Sequence, residues 1–181
     1  KWVSMCMLLV GMCLCTGAGF ADERGASPEN FQLPVLGGPG ELGLEDVSGK
    51  VVYVDFWASW CGPCRKSNPH VVEVYNKYKE KGFTVFSVSL DGIDSRSKAR
   101  YPDEAQFQAG LEQSKKNWIA AIEKDQLTWP YHVSELTKWD TQAARQYGVS
   151  GIPKTFLIGR DGKIAAVNPR TTLEEELLKV L

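Results

Sequence analysis

A run of seven residues, Val51-Val52-Tyr53-Val54-Asp55-Phe56-Trp57, is followed three residues later by Cys61-Gly62-Pro63-Cys64, and this pairing restricts the fold more than any other feature. The run is nearly all apolar and rich in β-branched residues, and it follows the turn Ser48-Gly49-Lys50. It therefore suits a central strand covered on both faces. Beyond the cysteines, Val71, Val74, Tyr75 and Tyr78 recur at helical spacing, and Lys81-Gly82 stops a helix of about four turns. Phe83 to Leu90 reads as the next strand. A strand, a helix and a second buried strand in so short a stretch imply a right-handed βαβ unit on a parallel sheet.

The remainder completes an α/β domain with a central mixed sheet flanked by helices. Residues 91–140 are too long for a simple connection. They carry a helical pattern, with Phe107, Leu111, Trp118, Ala121 and Ile122 on one face, and read as an inserted subdomain or cap. A short helix over Thr141–Tyr147 ends at Gly148. Thr155–Ile158 and Lys163–Val167 flank Gly159-Arg160-Asp161-Gly162, whose Asp-Gly pair predicts an antiparallel hairpin. Thr171 with Glu174 predicts a capping box for a closing helix, with Leu173, Leu177, Leu178 and Leu181 as its apolar stripe.

With 181 residues and 43% hydrophobic content, the chain has material for one well-buried domain, placed at 31–181. A formal net charge of −1 with mixed signs offers no basic stripe for phosphates, which excludes nucleic acid as a partner. Trp2 to Phe20 carries no charge, so 1–21 reads as a secretory signal or a membrane anchor, and 22–30 as a polar linker. Either reading exports the domain to the periplasm or cell envelope, on a membrane only if the segment stays uncleaved. Cys6, Cys13 and Cys15 fall in that segment, which leaves Cys61 and Cys64 alone in the folded part.

A two-residue spacer closes too small a loop to serve as a structural staple. Placed between a buried strand and a helix, Cys61 would stand at the helix N-terminus, where free N–H groups favour a thiolate. Cys64, one turn on, could then resolve a mixed disulfide formed at Cys61. Gly62 would let a partner backbone approach, and Pro63 supplies a helix-compatible φ. A zinc half-site needs about four ligands, and only His70 and His132 remain to add to the pair. A copper carrier is the non-enzymatic alternative, though neither histidine sits in a context that demands it. No metal site and no organic cofactor are expected.

Val54-Asp55-Phe56-Trp57-Ala58-Ser59-Trp60-Cys61-Gly62-Pro63-Cys64-Arg65-Lys66, with Pro69 beyond, resembles the active-site segment of the thioredoxin superfamily. Tyr147-Gly148-Val149-Ser150-Gly151-Ile152-Pro153-Lys154-Thr155-Phe156-Leu157-Ile158 resembles the segment carrying its cis-proline. The long insertion, Leu127-Thr128-Trp129-Pro130 and the apolar start narrow the likeness to TlpA/ResA-like thiol-disulfide oxidoreductases. The resemblance implies a thioredoxin-like fold, with an N-terminal extension and a helical insertion between the βαβ and ββα halves. It gives Cys61 the attacking role, Cys64 the resolving role, a cis peptide to Pro153, and to Asp55 the place of a buried acid that resists ionisation and relays a proton to or from Cys64. Trp60, Gly62, Pro63, Ile152 and Pro153 make up the substrate face. Trp57 and Trp60 are read as core and rim packing. Trp118, Trp129 and Trp139 are read as packing of the insertion, with a substrate-lining role as the alternative. Pro69 is read as the cause of a helix kink. Lys154 could favour the Cys61 thiolate, or stand solvated and uninvolved.

The implied activity is dithiol-disulfide exchange by a monomer, with protein or peptide disulfides as substrates and a thiol donor upstream. A reductase is expected, although an export compartment could run the pair either way. A thiol peroxidase of the same fold is the enzymatic alternative. It would need an isolated cysteine in a Thr-x-x-Cys context, which the sequence lacks.

Overall fold

The computed structural model describes residues 24–181. The segment read as a signal or anchor, with Cys6, Cys13 and Cys15, lies outside the described residues. Among the described residues no helix is long and apolar enough to cross a membrane.

The predicted buried strand is β3 (Val51–Trp57), and every residue in it is buried. It pairs in parallel with β4 (Phe83–Ser89), equally buried. Between them runs α1 (Gly62–Tyr78), closed by a short 3-10 turn at Lys79–Lys81 and by Gly82 at φ 89°. Pro69 lies inside α1. The hairpin is β6 (Lys154–Ile158) and β7 (Ile164–Val167), antiparallel as the Asp-Gly turn predicts. With β5 (Tyr131–Val133) at the far edge, the sheet order is β5-β4-β3-β6-β7. This is the mixed, helix-flanked thioredoxin-like sheet that the resemblance implies.

Side-chain alternation sorts the two faces of the sheet. Phe56, Phe86 and Phe156 project to one side, where their rings meet Phe31 and Tyr147 edge-on or tilted. Tyr147 follows the short helix α4 (Gln142–Gln146). Asp55 and Ser87 project to the other side. There Trp129 donates to the Ser87 hydroxyl at 2.9 Å and packs on Tyr75 of α1. Asp55 therefore lies on the face that α1 covers.

Residues 91–140, read as an inserted subdomain or cap, contribute a long helix and an edge strand of the sheet. A helical turn, α2 (Ser95–Lys98), precedes the long helix α3 (Glu104–Lys124), which buries Trp118 and Ala121. The chain then turns back to supply β5, parallel to β4, a strand too short to announce itself by periodicity. Two three-residue strands, β1 (Gln32–Pro34) and β2 (Glu41–Gly43), form a hairpin beside that edge. Ser134 N–H donates to Pro34 O at 3.1 Å, and Leu36 N–H to His132 O at 2.9 Å, which covers the edge.

The capping-box expectation is corrected, and the described part of the expected linker is held against the sheet. Residues 24–30, the described part of the expected linker, are tied to the sheet: Gly25 N–H donates to Ile164 O at 2.8 Å, and Ile164 N–H to Ala26 O at 2.9 Å. The closing helix α5 (Leu173–Leu178) takes Thr172 as its N-cap without a side-chain cap bond. Glu174 instead accepts from Tyr78 Oη at 2.6 Å and pairs with Lys77, which fastens α5 to α1. Leu173 and Leu177 are buried, whereas Leu178 faces solvent.

Candidate active site

A disulfide joins Cys61 to Cys64 with Cα atoms 5.3 Å apart. Cys61 is the N-cap of α1, with extended backbone, and its Sγ accepts from the Cys64 N–H at 3.3 Å. Cys61 thus stands at a helix N-terminus, because the strand ends at Trp57 and Pro63, second in the helix, needs no acceptor for an N–H it lacks. Cys61 is 4% exposed and Cys64 1%. In front of Gly62 the space is open: apart from its chain neighbours and the backbone of its own helix turn, no heavy atom lies within 4 Å of where a Cβ would stand.

The loop leading to Cys61 is held from two sides. Asp91, just beyond β4 and buried, accepts from Ser59 N–H at 2.9 Å, from the Ser59 hydroxyl, and from Ser89 Oγ at 2.7 Å. On the other side Arg65 donates through Nη1 to Ser59 O at 3.1 Å. Its Nη2 meets Asp125 Oδ1 at 2.6 Å and its Nε also pairs with that carboxylate. Asn68 Nδ2 adds a third donor to Asp125 at 2.7 Å. These donors, offsetting the opposing effect of burial, hold the Asp125 carboxyl below the usual carboxylate range. Sequence reading missed this network; the available signal was a polar residue at the carboxyl end of a buried strand, where α/β sheets place their sites.

Asp55 is 6% exposed, between Ser87 of β4 and Thr155 of β6. Burial raises its pKa to about 7, against the pull of the Arg170 guanidinium, which favours the anion. The Ile152–Pro153 peptide is cis. Phe56 pairs with Lys154, so Pro153 and Ile152 lie at the end of the sheet from which the Cys61 loop departs. Lys154 shares the face of Phe156, its Nζ 5.2 Å from that ring's centroid, on the side of the sheet away from Asp55.

The tryptophans divide. Trp57, Trp118 and Trp129 are buried core, while Trp60 is 49% exposed and Trp139 36% exposed, their ring centroids 6.3 Å apart. Trp139 thus reaches the site, and the other two tryptophans of the insertion do not. Beside Pro63 a groove of about 420 Å³ is lined by Lys66, Ser67, His70, Arg170 and Thr171. A second hollow, between Leu44–Lys50 and Ile158–Gly162, lies at the opposite end of the sheet. Among the described residues no group of three or more His, Cys, Asp or Glu is gathered to hold a metal ion.

Comparison with known proteins agrees with this geometry. Residues 25–167 match the AhpC/TSA family. A protein named thiol-disulfide oxidoreductase ResA from Bacillus thuringiensis subsp. konkukian is 30% identical over 178 residues, covering 94% of this chain and 88% of its own length. The protein of the same name from Bacillus anthracis is 33% identical over 159 residues, covering 86% and 76%. Among solved structures, a thiol-disulfide oxidoreductase from Bacteroides fragilis superposes with a TM-score of 0.64 at 28% identity, covering 84% of this chain and 99% of that one.

Proposed function

Since the chain belongs to the AhpC/TSA family and is a thioredoxin-like thiol-disulfide oxidoreductase, we propose that Cys61 and Cys64 are its redox pair and that it reduces polypeptide disulfides outside the cytoplasm. The observation that carries this reading is the Cys61–Cys64 disulfide at the N-cap of α1, at the sheet end shared with the cis peptide to Pro153. The apolar segment at 1–21 supports export.

In the reduced enzyme the Cys61 thiolate, favoured by the helix N-terminus, attacks one sulfur of a substrate disulfide and expels the other as a thiolate. Cys64, deprotonated, then attacks Cys61 Sγ and releases the second substrate thiolate. Two electrons pass to the substrate, which leaves as a dithiol after taking up two protons, and the enzyme is left as the Cys61–Cys64 disulfide. Asp55, whose pKa burial raises to about 7, accepts the Cys64 proton. Pro153 and Ile152 bound the approach opposite the pair, and Gly62 leaves room for the substrate backbone. An upstream thiol donor restores the dithiol.

Equilibration with glutathione or dithiothreitol buffers, read by tryptophan fluorescence, measures the potential of the pair. A value well below about −200 mV supports a reductase; one near about −120 mV makes the protein a disulfide donor instead. With the same preparation, Cys64→Ser should accumulate a mixed disulfide with a peptide substrate and Cys61→Ser should not; the reverse would overturn the assigned roles. Co-fractionation with exported markers checks the location.

A further inference from the structure

Among the described residues three large hydrophobic side chains are exposed: Trp60, Trp139 and Leu178. Two of them stand together beside the redox pair, although they are far apart in the chain. Leaving an indole in water is unfavourable, so a loop that holds one there at the site calls for an explanation.

The loop bearing Trp139 is firmly held. Ile93 N–H donates to Leu136 O at 3.0 Å, and Gly92 bridges Thr137. Ser95 N–H donates to Asp140 Oδ2 at 2.6 Å, Asp140 N–H to Thr137 O at 3.0 Å, and Leu136 N–H to Ser134 Oγ at 3.0 Å. Leu136 and Lys138 both take φ 55°, a left-handed backbone that L residues adopt only when their surroundings impose it. Trp139 is presented, not left over. Lys138 Nζ stands 5.4 Å from the Trp60 centroid and steadies the second ring.

The reacting sulfur is nearly covered, so a substrate disulfide must come close to the protein surface, and open space stands in front of Gly62, two residues from Trp60. With centroids 6.3 Å apart and planes tilted by 60°, the two rings meet as one continuous apolar surface next to the pair. Resting on the redox assignment above, we propose that Trp139 and Trp60 form a ledge for a large apolar side chain within one or two residues of the substrate cysteine. Trp139 is then a specificity-determining residue that selects extended polypeptide disulfides over small disulfides.

The test uses the reduced full chain and three substrates: two disulfide-bridged peptides differing only in Leu or Ser next to the cysteine, and oxidised glutathione. The wild type should reduce the Leu peptide with about tenfold higher kcat/KM than the Ser peptide, the scale of one well-placed aromatic contact. Trp139→Ala should erase that ratio while leaving the rate with oxidised glutathione and the redox potential unchanged, and Trp139→Phe should keep most of it. An unaltered Leu-to-Ser ratio in Trp139→Ala overturns the inference. So does an equal loss on all three substrates with a shifted potential, which would place the effect of Trp139 on the disulfide itself. A wild type inert toward all three disulfides would instead refute the redox assignment.

Discussion

Arg65, one residue past the second cysteine, shares its guanidinium between the Ser59 carbonyl and the carboxylate of Asp125, at the end of the inserted helix α3. The insertion therefore holds the active-site loop directly. Asp125→Ala would leave Arg65 and Asn68 without their acceptor in a partly buried place. We expect a loss of about 2 kcal/mol, read as a lower guanidinium midpoint. An unchanged midpoint would mean that the contact holds nothing.

Two buried groups titrate with opposite sign in nearly the same window. Asp55, raised to about 7 by burial, keeps in the native state a proton that the unfolded chain has lost above about pH 4. Its contribution is thus present at low pH and lost as pH rises to about 7, a change of up to about 4 kcal/mol. His132, lowered to about 4 by burial, does the reverse, with stability lost as pH falls from about 6.5 to 4. The wild type should show a shallow profile between pH 4 and 7. Asp55→Asn should become less stable on acidification across that range, and His132→Gln more stable, by urea midpoints. Parallel profiles for the two variants would sink the assignment.

Gly92 has φ 111°, and a Cβ there would overlap the carbonyl of Leu136. Gly92→Ala should cost about 3 kcal/mol, combining an unfavourable φ with a backbone clash. For a domain of this size that corresponds to a Tm lower by about 10 °C. Because the same contact holds the loop of Trp139, the emission of the exposed tryptophans should change as well. A near-native Tm would show that the loop yields easily.

Much of the fold was legible because the signals are local. Seven consecutive buried residues, apolar positions at helical spacing after Cys64, and an Asp-Gly turn between two short runs are each properties of neighbouring residues. The strand β5 was not legible: three residues carry no measurable period, and its place depends on pairing with β4. The closing helix misled for a related reason. Thr171 and Glu174 have the spacing of a capping box, but Lys77 and Tyr78 of a distant helix compete for Glu174, and they prevail.

What the sequence by itself determined is the placement of Cys61 and Cys64 at the junction of a buried strand and a helix, since burial pattern and helix-start chemistry are encoded within a few residues of the pair. Only the tertiary structure decided which distant groups would serve that junction: Asp91 on Ser59, Asp125 on Arg65, Arg170 near Asp55, and Trp139 beside Trp60. Each belongs to a segment brought in by packing of the whole sheet and its insertion. No local periodicity specifies where such a side chain arrives, because its position is set by the combined burial of helices and strands far apart in the chain.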